Sequence, residues 1–294
     1  MTHPLSGTMR CPKASTIRAI YKCLLQDARA LRQTPQFRLR NALRLEQWGS
    51  GHYVPPLGQS HRGQPDDQLV QFRTLEEFMA AKTRGFRPDE PVEDVEEMIR
   101  RSFKEKMHLR DPKAIASALD DAIAALHEIS EQLILADCSS VTVTNGIRIE
   151  ATSQFVPTHS NPELNLYRFT YRITITNESM SSGFIWELKV PLDSQLLLPD
   201  ELETVQITGR QYTFESERGQ RIALPRNSPG IVGNTPVLQP GQTFEYASGV
   251  DIDSPRGFVT GCLHVVRRDK DSSSDAMDSF DAYVSKFSLR ATPQ

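Results

Sequence analysis

Near residue 138 the hydrophobic period of this chain changes from helical to extended, so no all-helical or all-strand fold accommodates both halves. Before that point Ile17, Ile20, Tyr21, Leu24, Ala28 and Leu31 recur at helical spacing, and Ser15 stands where an N-cap is predicted. Val95, Met98, Ile99, Phe103 and Met107 form a second stripe behind the acidic run Asp89, Glu90, Glu93, Asp94, Glu96 and Glu97. Acids suit the positive end of a helix, and Pro91 suits its first turn. A third stripe, Ile115, Leu119, Ala122, Leu126, Ile129 and Leu133, follows Asp111-Pro112, an N-cap residue with proline at the first helical position.

Beyond residue 138 the period is two. Tyr167, Phe169, Tyr171, Ile173 and Ile175 alternate with Arg168, Thr170, Arg172, Thr174 and Thr176, the pattern of a half-buried strand. Further strands are predicted at 141–155, 184–191, 203–215, 242–250, 257–268 and 278–290, with turn signals at Asn145-Gly146, Pro240-Gly241 and Ser254-Pro255. About seven short strands without intervening helices predict a β-sandwich. The fold class is therefore α+β in two domains, an expectation that suits a length of 294 residues. The expected boundaries are a leader at 1–13, a helical domain at 14–135 and a β domain at 139–294. The helical domain carries an insert at about 36–90, of which Gly- and Pro-rich 49–68 reads as a loop. Leu75, Phe78 and Met79 share one face of a short helix near 74–83.

Hydrophobic and charged fractions of 38% and 24% exclude wholesale disorder and collagen-like repeats. No run of 18 apolar residues predicts a membrane span. Cys11, Cys23, Cys138 and Cys262 are too sparse for a disulfide scaffold, and no CxxC or Cys/His cluster stands at zinc-ligand spacing. Reduced thiols and no metal are expected. None of the seven histidines lies in a HExxH or HxH pattern, and no GxSxG elbow, Walker loop or paired-carboxylate motif occurs. No catalytic residue is predicted.

The net charge of -3 conceals a strong asymmetry. Residues 1–44 hold nine Lys/Arg against Asp27 alone, a net of +8, and residues 100–113 hold six against two acids, a net of +4. Residues 139–294 carry -4. If the first two long helices pack antiparallel, both basic stretches flank one surface that would attract an acidic partner. The first 26 residues contain no acid and carry Arg10, Lys13, Arg18 and Lys22. That composition fits a mitochondrial or plastid presequence, and equally a short leader before a basic helix.

Over residues 14–135 these features resemble the LYR-motif (Complex 1 LYR) family of small three-helix mitochondrial proteins. IRAIYKCLLQDARAL places Ile20-Tyr21-Lys22 where the family has Leu-Tyr-Arg, and IRRSFKEKMHLRDPKAI matches its second helix and the Asp-Pro that opens the third. Lys22 supplies the charge of the family arginine but not its bidentate fork. The resemblance implies a three-helix bundle that binds mitochondrial acyl carrier protein, whose acyl-phosphopantetheine enters the bundle; no cofactor is bound directly. By position in the motif, Arg18, Tyr21, Lys22, Arg100, Arg101, Phe103 and Lys104 are the implied carrier interface.

Residues 139–291 resemble the ApaG family, a fibronectin-III-like antiparallel β-sandwich. The resemblance rests on GIVGNTPVLQPGQTFEYASGVDIDSPRGFVTG at 230–261, YRFTYRITITNES at 167–179, GRQY at 209–212 and FSLR at 287–290, with an insertion at about 180–203. The family's glycine segment corresponds to Ser228-Pro229-Gly230-Ile231-Val232-Gly233, which lacks the first glycine of GxGxxG and precedes no helix. Together the two resemblances imply a non-enzymatic adaptor of the mitochondrial matrix, an accessory subunit or assembly factor. Its partners would be the carrier protein and a large complex, a mitochondrial ribosome or respiratory complex, and direct RNA contact is not indicated. The alternative makes the ApaG domain a phosphate- or nucleotide-binding module at Gly230 and Gly233, with the helices serving only to dock it.

Overall fold

The computed structural model describes residues 13–34, 38–41, 48–54, 72–84, 95–179, 204–226, 228, 230–268 and 278–291. The leader up to residue 12, Pro91 with the acids before Val95, the predicted strand 184–191 and the insertion 180–203 lie outside these residues. The chain divides into two compact units, one made of Met1–Asn41 and Pro65–Asp137, the other of Ala42–Gln64 and Cys138–Gln294.

The first unit contains α1 (Ala14–Arg32), α2 (Leu75–Arg84), α3 (Val95–Lys106) and α4 (Pro112–Asp137). Asp111 caps α4 as expected, its carboxylate accepting from the Ala114 amide at 3.2 Å. Ser15 does not cap α1: the helix already includes Ala14, and Lys13, extended at φ -69 and ψ 140, is the boundary residue without a side-chain cap. The short helix expected near 74–83 is α2, and it shares one core with the three long helices instead of lying outside a three-helix bundle. Leu75, Phe78 and Ala81 of α2 are buried with Leu24, Ala28 and Leu31 of α1, Val95, Met98 and Ile99 of α3, and Ala122, Ala125 and Ile129 of α4. The Ser102 hydroxyl of α3 accepts the Leu75 amide at 2.8 Å, which joins the start of α2 to α3. Met107 lies past the end of α3 and is 64% exposed, so the second stripe ends at Phe103.

The second unit is an antiparallel β-sandwich. Its strands are β1 (Gly51–Val54), β2 (Ser139–Thr144), β3 (Ile147–Phe155), β4 (Tyr167–Asn177), β5 (Thr204–Ser216), β6 (Arg221–Leu224), β7 (Val237–Leu238), β8 (Thr243–Ile252), β9 (Arg256–Arg268) and β10 (Ser279–Arg290). One sheet runs β1-β8-β4-β3-β2, and the other runs β10-β9-β5-β6, with β7 also paired to β5. The inner faces meet in a core that includes Ile149, Phe169, Ile173, Tyr212, Tyr246, Val259, Leu263 and Phe287. The predicted strand 141–155 is two strands, because Asn145 and Gly146 take φ of 48° and 77°, the left-handed pair of a two-residue hairpin turn.

The stretch 49–68, predicted as a loop, contains β1, whose Gly51 to Val54 pair with Tyr246 to Thr243 at the edge of the first sheet. Gly51 lies against the Phe244 ring, where an added Cβ would come within 2.5 Å of Cζ. Tyr53 donates its hydroxyl to the Val237 carbonyl at 3.2 Å and accepts the Val237 amide at 3.1 Å. Backbone pairing therefore makes a strand from a segment whose composition does not read as one.

Candidate functional site

The implied carrier interface lies on α1 and α3. These helices are antiparallel, since Tyr21 in the first half of α1 meets Phe103 near the end of α3, whereas Arg29 near the end of α1 meets Glu96 at the start of α3. The Tyr21 and Phe103 rings are 4.7 Å apart and tilted by 45°, and both, with Ile20, are half-buried against the helical core. A ring pair at this distance is an aromatic contact as well as buried area.

The cations beside it fall into two groups. Glu96 holds Arg100 at 2.6 Å and Arg29 at 3.0 Å, and those two guanidinium groups keep its carboxyl below the ordinary value of 4.5. Arg101 lies 3.8 Å from Glu97. By contrast, Arg18, Lys22 and Lys104 are exposed and make no ion pair among the described residues. All seven implied residues are thus on two neighbouring helices, with an aromatic pair, three unpaired cations and two cations already engaged.

The glycine segment is a turn between strands. Gly230 is buried with φ of 64°, and an added Cβ would meet the Asn234 carbonyl oxygen at 2.5 Å. Its amide donates to the Thr208 carbonyl at 2.9 Å, and Ile231 and Asn234 exchange backbone hydrogen bonds of 2.6 and 2.8 Å. Gly233, with φ of 81°, faces open space. The Gly230 amide is therefore spent on β5 and those of Ile231 and Asn234 inside the turn, and no helix N-terminus follows to favour an anion.

A cluster that sequence reasoning missed lies on the outer face of the second sheet. Strand alternation puts Cys262 and His264 of β9 on one face, and register puts Asp281 of β10 opposite His264. His264 Nδ1 and Asp281 Oδ1 are 2.7 Å apart, and Arg226 lies 3.0 Å from the same carboxylate oxygen. The sequence shows no Cys/His cluster at zinc-ligand spacing, yet the fold brings Cys262, His264 and Asp281 together. The Cys-x-His spacing at 262–264 was visible, but Asp281 is brought in by strand pairing 17 residues away. Burial, and then the Asp281 charge, push the Cys262 thiol up, while Arg226 acts against them.

Comparison with known proteins places this sandwich. A family model described as ApaG domain matches residues 157–267. Protein ApaG of Beijerinckia indica subsp. indica is 31% identical over 148 residues, covering 50% of this chain and 90% of that relative. The chain belongs to the ApaG family. Protein ApaG of Methylocella silvestris is 29% identical over 147 residues, covering 50% of this chain and 89% of the relative.

The ApaG stretches singled out in the sequence occupy defined places in the sandwich. Residues 167–179 span β4, 209–212 lie in β5, 287–290 end β10, and 230–261 run from the glycine turn into β9. GRQY contributes Tyr212, whose buried hydroxyl is hydrogen-bonded to that of Tyr246, and burial pushes both phenols far above their ordinary range. That part of the ApaG signature therefore builds the interior.

Proposed function

We propose that this chain is a non-enzymatic adaptor of the mitochondrial matrix whose helical unit binds an acidic carrier protein, mitochondrial acyl carrier protein. The single observation that carries this reading is the half-buried Tyr21–Phe103 pair flanked by Arg18, Lys22 and Lys104, which have no ion-pair partners among the described residues. Unpaired surface cations lose no internal contact when they meet an acidic helix, and they raise association rates through long-range attraction. The carrier's acyl-phosphopantetheine would enter beside Ile20, Tyr21 and Phe103, where apolar side chains are already half-buried. The resemblance of α1, α3 and the Asp111-Pro112 start of α4 to LYR proteins supports the same reading.

In this proposal the ApaG sandwich and the two insertions hold a larger assembly, a mitochondrial ribosome or respiratory complex, as a permanent subunit or during assembly. A role as a phosphate-binding module has less support, because the Gly230 amide donates to the Thr208 carbonyl and the Ile231 and Asn234 amides donate to each other's carbonyls.

Affinity purification of the full chain from mitochondria, followed by mass spectrometry, tests the proposal. Recovery of acyl carrier protein at a stoichiometry near that of the bait is the expected result. Its absence from a preparation that still contains a large complex would remove the helical half of the reading.

A further inference from the structure

We propose that Cys262, His264 and Asp281 form a binding site for a thiophilic divalent metal ion of the zinc class on the outer face of the β10-β9-β5-β6 sheet. One donor atom from each residue, a thiol sulfur, a ring nitrogen and a carboxylate oxygen, lies within 4.8 Å of the other two. Zinc bonds of about 2.0–2.3 Å place tetrahedral ligands roughly 3.3–3.7 Å apart, so modest side-chain rotation closes the set around an ion. Sulfur, imidazole and carboxylate together select zinc-like ions over magnesium or calcium, which prefer oxygen alone. Three protein donors leave the fourth tetrahedral position open.

The surroundings are consistent with a built site. His264 turns Nδ1 to Asp281 Oδ1 at 2.7 Å, while its buried Nε2, on the other side of the ring, has no hydrogen-bond partner among the described residues. The β5 bulge between Ile207 and Gly209 sets Gly209, a residue without a side chain, opposite His264. A Cβ at that position would lie 3.3 Å from His264 Cδ2 and 3.3 Å from the Ser228 carbonyl oxygen, so glycine leaves the ring its room. Arg226, the guanidinium facing Asp281, has a side chain 64% exposed and is free to withdraw as the ion arrives. On binding, the Cys262 S–H bond releases its proton to solvent and the sulfur lone pair forms the metal bond.

The test is titration of the chelator-treated full chain with Co2+ as a spectroscopic probe, followed by competition with Zn2+. The expected result is saturable binding of one ion per chain with a sulfur-to-cobalt absorption band that Zn2+ removes. Cys262→Ser should abolish the band, and His264→Gln and Asp281→Asn should each weaken binding at least ~10-fold. Cys23→Ser, which alters the exposed thiol of α1, should leave the band intact. Circular dichroism checks that each variant is folded, and Asp281→Asn, at a half-buried position, provides an arm independent of the thiol. A wild-type chain without saturable binding, or a band that survives Cys262→Ser, overturns the proposal.

Discussion

Both units of this chain hold paired cations, Lys82 to Glu128 and Lys106 to Glu76 in the helical one and several arginines in the sandwich, but they differ in the cations left over. In the sandwich, several cations are tied into the structure. Arg168 grips Asp251 with two nitrogens, Arg148 meets Glu150 at 2.8 Å, and Arg172 meets Glu245 at 3.3 Å with only 9% of its side chain exposed. Lys286 lies 3.7 Å from the centre of the Phe258 ring. In the helical unit Glu96 absorbs part of the positive charge, but Arg18, Lys22 and Lys104 remain exposed and unpaired among the described residues. Net charge is therefore a poor guide to an interface. What a partner can use is charge the fold has not already spent.

That contrast can be broken from either side. The largest effect is expected at Arg172. Replacing it with alanine strips a nearly buried Glu245 of its guanidinium and should destabilise the sandwich by ~3 kcal/mol, about 6–12 °C in Tm by calorimetry. An unchanged Tm would mean that the sandwich cations are as dispensable as surface ones. Next comes Gly230→Ala, which forces a side chain onto the Asn234 carbonyl at a left-handed φ. The expected cost is about 2 kcal/mol in denaturant unfolding.

The helical unit should respond in binding rather than in stability. The double variant Lys22→Glu/Lys104→Glu should keep its unfolding free energy within about 0.5 kcal/mol of wild type, because exposed unpaired cations contribute little. In a carrier-protein titration it should lose at least ~10-fold in affinity, roughly 1.4 kcal/mol. Loss of stability with intact binding would reverse the roles assigned to the two units. The smallest effect concerns acid. Glu96, its carboxyl lowered chiefly by Arg100, adds stability that is present above its ordinary value of 4.5 and is lost as pH falls through the lowered folded value. Glu96→Gln should therefore flatten the Tm-against-pH curve slightly below 4.5, and an unchanged slope would remove Glu96 as its source.

Periodicity and turn chemistry made much of the architecture legible. The alternation from Tyr167 to Thr176 became β4, and Asp111-Pro112 opened α4. Where the sequence misled, tertiary pairing outweighed local preference. Gly51–Val54 becomes a strand because β8 offers it an edge, and no composition within 49–68 announces that edge. Ser15 was a good capping residue in the wrong place, one position inside a helix that begins at Ala14. The α1–α3 surface could be anticipated because helical spacing and charge both lie in local sequence. The complete Cys262–His264–Asp281 cluster could not, because its third member depends on which residue of β10 stands opposite His264.

In the proposed reading, Arg18, Lys22 and Lys104, unpaired among the described residues beside Tyr21 and Phe103, receive an acidic carrier protein. This binding is tested most directly by titrating the full chain with mitochondrial acyl carrier protein across a range of salt concentrations. The expected result is saturable binding that weakens steadily as salt screens the cations and that is lost in Lys22→Glu/Lys104→Glu. No binding at low salt, or binding indifferent to both salt and the double variant, would contradict it.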